Sequence, residues 1–296
     1  MEPSVFLALG AAFSWTMAAL VSHRPATELG SLHFNRVRMI TATVIMVAFL
    51  VMTGRPFDIP SGLWWPIILS ALAGIVFGDF FLFAALRRIG PRRSNILFAT
   101  NAVFAALFGW LYLGETVGLK TGMAILFGVS GVILAVIYGK RRDLLHEWET
   151  VTHPLWIGAA LGLLAAICQA LGVVFVRPVM AAGADPVAVT LFRTIVGMIV
   201  FWATFPFDRR QWGKPLFPRR RVLGLTALNC LFGLGVGAAL LMAALEFGNV
   251  ATVTILSSTT PVMILPFIWL RTGRMPPPAA WLGALLVVIC TVLIAT

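Results

Sequence analysis

Apolar residues run through the chain in long blocks, with most charge confined to the gaps between them. The blocks fall at about 4–22, 34–53, 63–86, 94–113, 119–138, 155–176, 187–206, 222–245, 250–270 and 279–295. Inside them the apolar positions do not alternate, so the pattern is not that of a membrane β-barrel. A segment inside the hydrocarbon of a bilayer has no water to satisfy its backbone N–H and C=O groups. A helix satisfies them internally, and about 20 apolar residues are enough to span. The pattern therefore predicts an all-α integral membrane protein with ten transmembrane helices. The longest polar stretches, 139–153 and 207–221, are too short to fold as domains of their own.

Composition agrees and narrows the class. Of 296 residues, 60% are hydrophobic and 11% charged, with mean hydropathy +0.96. An ordinary soluble domain carries about 25% charged residues. Disorder, a disulfide scaffold and a soluble enzyme of normal surface are thereby excluded. Met1-Glu2-Pro3-Ser4 lacks the basic start of a secretory signal, so the first block is expected to stay as a span. Cys168, Cys230 and Cys290 all lie in apolar blocks and read as buried thiols, and the four histidines form no metal-ligating pair. With no metal, cofactor, phosphate-loop or nucleophile motif, neither an enzyme nor an ATP-driven pump is expected.

The net charge is +11, from 22 Lys and Arg against 11 Asp and Glu. In a soluble chain this excess suggests nucleic acid. Here the basic residues cluster at the ends of apolar blocks, where lipid head groups are their neighbours. If successive loops alternate sides, Arg55, Lys120, Arg177 and Arg193 fall on one side and the other eighteen on the opposite side. Cytoplasmic loops carry the Lys/Arg excess. The expectation is a bacterial-type inner (plasma) membrane protein with both termini extracytoplasmic. Pro206 to Arg221, with Phe207, Trp212 and Phe217 among its basic residues, reads as a loop on anionic lipid and not as an RNA-binding stretch.

The two halves of the chain echo each other. Trp110-Leu111-Tyr112-Leu113-Gly114 aligns with Trp269-Leu270-Arg271-Thr272-Gly273, Ala102-Val103 with Pro261-Val262, Arg38 with Arg193, and Gly90 with Gly248. This reads as a five-helix unit repeated at 1–139 and 154–296, joined by a linker at 140–153. An odd number of helices turns the second copy over. Inverted repeats of this kind build transporters with the solute site near the midplane, at the repeat interface.

Polar residues deep in apolar helices are costly and usually face a cavity or one another. Asp79 is the one carboxylate well inside a block; it reads as a proton carrier, a partner for a substrate amine, or half of a structural ion pair. Glu115 and Glu246 sit at block ends and read as interfacial or capping residues. Asn101 matches Thr260, and Ser257, Ser258, Thr259 and Thr260 precede Pro261. A proline frees carbonyls, so this hydroxyl cluster suits a polar ligand or a repair of the broken backbone. Trp15 and Gln169 also match across the halves, and Phe83 is one turn from Asp79. Glycines at 158 and 162, and at 233 and 237, mark close helix approach or hinges. Those at 122, 128, 131 and 283 mark a dimer face or internal packing, so monomer and homodimer both stay open.

Asn101 to Glu115, ending Leu113-Gly114-Glu115, resembles the EamA-type signature, and Trp15, Arg38 and Arg193 fit the same pattern. The chain thus resembles the drug/metabolite transporter superfamily, ten-helix branch, over its whole length. The second half keeps Pro261-Val262 but has Arg274 in place of the terminal glutamate. The resemblance implies a secondary exporter with a central cavity lined by the first, third, fourth and ninth helices. The arginines read as lying at helix ends or in loops, which argues against phosphate-bearing substrates. Aromatic and neutral amino acids are therefore the expected cargo, with protons as a possible driving ion. Trp15, Asp79, Phe83, Asn101, Gln169, Ser257 and Thr260 are the expected substrate-binding residues. A multidrug or organic-cation exporter, and a non-transporting lipid-handling protein, are the alternatives.

Overall fold

A computed structural model of the protein describes residues 2–54, 59–60, 62–138, 154–208, 218–272, 275 and 277–295. The expected linker 140–153 lies outside them, as do Arg274 and most of the basic loop after Phe207. Among the described residues the regular structure is helical throughout. In chain order the helices are α1 (Pro3–Leu29), α2 (Ser31–Thr53), α3 (Trp64–Ser70), α4 (Asp79–Phe98), α5 (Asn101–Leu113), α6 (Leu119–Tyr138) and α7 (Leu155–Ala181). They continue with α8 (Pro186–Ala203), α9 (Arg220–Cys230), α10 (Ala238–Phe247), α11 (Val250–Ser257), α12 (Thr260–Thr272) and α13 (Pro278–Ala295). By length and composition, seven helical segments can cross a membrane, and three shorter apolar helices occupy the remaining blocks. The connection between the third and fourth blocks, expected as an open loop, is helical backbone within α4.

Two departures from regular α-helix each occur once in either half. A π-helical stretch, Ala71–Gly78, joins α3 to α4, and another, Leu231–Gly237, joins α9 to α10. Wide turns of this kind are uncommon and concentrate at functional sites. Both stretches are glycine-rich, and Asp79 directly follows the first. The second departure is a break. Helix stops at Ala99–Thr100 and at Ser258–Thr259, then restarts as α5 and α12. Each break is closed by a threonine hydroxyl donating three residues back, Thr100 to the Leu97 carbonyl at 2.6 Å and Thr259 to the Leu256 carbonyl at 2.8 Å.

The halves do not pack as separate units. Extensive contacts pair α6 with α13, α2 with α8, and α5 with α7 and α11. In the same way α1 lies on α9, α10 and the π stretch between them, while α7 lies on α3, α4 and theirs. Glycines permit the closest of these approaches. A Cβ on Gly172 would lie 2.7 Å from the Gly74 Cα, and one on Gly131 would lie 2.6 Å from the Gly283 carbonyl oxygen. The glycines at 131 and 283 therefore pack internally. Gly158 and Gly162 likewise seat α7 on Ile89 and Leu97 of α4.

Candidate functional site

Asp79 opens α4 where the first π stretch ends. Its Oδ2 accepts from Arg38 Nη1 of α2 at 2.8 Å. The same Nη1 donates to Asn35 Oδ1 at 3.3 Å. The two charged side chains retain 13% and 18% of their exposure, so this is a nearly buried ion pair. Arg193, on α8, is 5% exposed and lies in the field of the same carboxylate. Among the described residues it has no acidic partner within ion-pair distance. Its Nη1 reaches only the Met242 thioether of α10, at 3.5 Å, and its Nε has no hydrogen-bond acceptor. Its Nη2 covers Gly74, where a Cβ would come within 3.1 Å.

Gln169, on α7, borders the same place. Its Oε1 would meet a Cβ on Gly78 at 3.2 Å and one on Gly74 at 3.6 Å. Glycines four residues apart thus clear the face of the π stretch that Gln169 and Arg193 overlook. On the far side of Arg38 is Gly233, in the second π stretch, whose carbonyl accepts from Trp15 Nε1 at 2.9 Å. Trp15 wedges α1 against Gly237, where a Cβ would clash with the indole at 2.6 Å. Asn229 Nδ2 donates to the Ala18 carbonyl at 3.1 Å, while its buried Oδ1 has no partner. Two guanidinium groups and one carboxylate, flanked by amide oxygens, thus meet where segments from both halves converge.

A second polar cluster lies at the helix breaks. Ser258 Oγ donates to Asn101 Oδ1 at 3.1 Å, tying one break to the other. Thr260 Oγ1 donates to the Ala12 carbonyl of α1 at 3.1 Å. Ser257 bonds within its own helix, to the Thr254 carbonyl at 3.1 Å. In this arrangement these hydroxyls satisfy backbone, and the buried Thr254 Oγ1 is left without a partner.

The expected residues therefore fall into two groups. Asp79 and Gln169 meet beside the first π stretch, with Trp15 across Arg38 from them. Asn101 and Thr260 meet at the breaks, with Ser257 buried beside them. The Phe83 side chain lies outside the described residues. Sequence reasoning placed the arginines at helix ends and loops and so missed Arg38 and Arg193 as site residues. Both are buried or nearly so within helices. One signal was available: a carboxylate inside an apolar helix needs a cation, and these two arginines matched across the halves. Cys230 and Cys290 are buried and all three cysteines are free.

Among the described residues, a helical bundle of apolar, membrane-length segments around a buried polar seam is the architecture of a multi-pass membrane protein. The chain belongs to the EamA-like transporter family, whose model matches residues 2–137 and 156–296. It is 25% identical to an uncharacterized transporter of Synechocystis over 281 residues, covering 92% of this chain and 83% of that one. A WAT1-related chloroplastic protein of Arabidopsis thaliana is 27% identical over 186 residues, 62% of this chain and 43% of its own length. One crystal structure superposes with a TM-score of 0.78 at 15% identity, covering 99% of this chain and 96% of the other, and so shares its fold.

Proposed function

We propose that the chain is a secondary transporter of the inner membrane that exports small metabolites, amino acids with aromatic or neutral side chains first among them. It works by alternating access, with two inverted five-helix repeats, 1–139 and 154–296, opening in turn around a central site. The observation that carries this reading is the buried seam of Arg38, Asp79 and Arg193 between segments of both halves. Ionisable groups at membrane depth are expensive and mark solute or ion paths. Paired helix breaks beside such a site are how transporters present backbone and hydroxyl groups to a substrate. Asn101, Ser257 and Thr260 meet the polar end of the solute, exchanging their present partners for it. Trp15 and Phe83 contact its apolar part, and Gln169 orients it. Asp79 carries the coupling proton. The Arg38 bridge and the Arg193 charge weigh against the organic-cation exporter, because a cation entering here meets two guanidinium groups.

The test is flux of labelled amino acids, aromatic ones included, into proteoliposomes of the pure protein, with and without a pH gradient. Flux above protein-free vesicles, stimulated by the gradient and lost in Asp79→Asn with folding retained, is the expected result. Unchanged flux in Asp79→Asn removes that residue from the coupling. Lipid scrambling with no solute flux replaces the transporter reading with a lipid-handling one.

A further inference from the structure

The charges at the seam do not balance. Arg38 is matched by Asp79 at 2.8 Å. Arg193 is nine-tenths buried and, among the described residues, has no carboxylate within ion-pair distance and hydrogen-bonds only to a thioether. A guanidinium cannot relieve this by losing its proton. A buried charge left unpaired is costly, and proteins keep one where a ligand completes it. Its hydrogen-bonding capacity is also unspent. Its Nε has no acceptor, and its Nη2 packs over Gly74, 3.1 Å from where a Cβ would lie. Gln169 Oε1 lies 3.6 Å from the same point. Resting on the transporter reading above, we propose that Arg193 is the receptor for a carboxylate of the transported solute.

Ion count and geometry set the class. With Asp79 ionised, the three side chains sum to a single positive charge, which one carboxylate neutralises. A phosphate dianion would need a second free cation, and Arg38 is engaged. The planar fork of a guanidinium accepts the two oxygens of a carboxylate side by side. The solutes selected are small monocarboxylates, amino acids among them. Their carboxamides, of the same shape but without the charge, are refused.

The experiment compares phenylalanine, phenylpropionate and phenylalaninamide as ligands of the purified protein, read as the shift in unfolding midpoint with concentration. Wild type, Arg193→Lys, Arg193→Gln and Arg193→Met are measured alongside. The proposal expects the two carboxylates to raise the midpoint and the amide not to. Arg193→Gln and Arg193→Met should weaken carboxylate binding by roughly tenfold or more, with Arg193→Lys between them and wild type. It also expects unliganded Arg193→Met to be at least as stable as unliganded wild type, because methionine beside Met242 removes an uncompensated charge. A purely structural arginine would give the opposite sign. Equal stabilisation by the amide, or undiminished carboxylate stabilisation in Arg193→Gln, overturns the proposal. Carboxylate binding lost in Arg193→Gln, with no flux in proteoliposomes, overturns the transporter reading and leaves Arg193 as a carboxylate receptor without transport.

Discussion

Arg36 and Arg193 show what burial does to the same side chain in two settings. Arg36 is fully buried, and every part of its guanidinium is answered. Nε donates to the Phe201 carbonyl at 3.0 Å, Nη1 to Asp208 Oδ2 at 2.9 Å, and Nη2 to Thr204 Oγ1 at 2.9 Å. The Phe205 ring lies 5.3 Å from its carbon centre. These partners sit at the end of α8, where a cation also complements the free carbonyls. Arg36→Ala should cost about 3–5 kcal/mol, since it strands buried acceptors and a carboxylate. Unfolding in detergent checks the figure. Glu115 is the other structural charge. Its Oε2 accepts from the Val250 N–H at 2.9 Å and so caps α11, and Oε1 lies 3.7 Å from Arg177 Nε. The turn that delivers it depends on Gly114, whose φ of 65° lies in the left-handed region. The Leu-Gly-Glu ending of the signature is thus a cap. Burial pushes the Glu115 carboxyl above its ordinary range, against the pull of the Val250 N–H and Arg177. A raised pKa in the folded state contributes stability below the ordinary carboxylate range, and that contribution is lost as pH rises through the raised value. Glu115→Gln should therefore gain on wild type in unfolding midpoint as pH rises above the ordinary carboxylate range. Glu115→Ala should lose about 1 kcal/mol with the cap.

At the scale of the element, glycine separates close packing from open surface. Gly172→Ala drives a methyl group into Gly74 backbone, which cannot move aside as a side chain would, and should destabilise by about 1–3 kcal/mol. Gly122 has nothing within 4 Å of a Cβ, so Gly122→Ala should leave stability equal or raise it by up to about 1 kcal/mol. Thermal midpoints of the two variants side by side make the comparison. Helical blocks were legible in the sequence because apolar length and charge placement set them locally. The breaks were half legible: Pro261 and the serine–threonine run announced one, while its partner at Thr100 carries no proline. The π stretches were not legible, since a wide turn is selected by packing between Gly74 and Gly172 and not by local propensity. The lining of the seam was missed for a related reason. Asp79 was visible as a charge in the wrong solvent, but which arginine would answer it depended on helices far apart in sequence.

At the scale of the whole molecule, topology and packing make separate predictions. The Lys/Arg bias predicts both termini outside the cytoplasm. An alkaline phosphatase fusion at the C-terminus should be active and a fluorescent-protein fusion dark, and the reverse pair of results would invert the topology. The packing is a matter of who touches whom. Because α1 lies on α9 and α10 while α7 lies on α3 and α4, the first half cannot complete its core until the second is present. That has a consequence for how the protein is made. Synthesis proceeds from the N-terminus, so the first helices enter the bilayer while their packing partners are still on the ribosome. Asp79 does not wait for them. Its bridging arginine, Arg38, lies in the same half, so the carboxylate can be matched as soon as its own helix is laid down. Arg193 arrives more than a hundred residues later. Among the described residues of the seam, Arg193 is then the guanidinium with no carboxylate of its own.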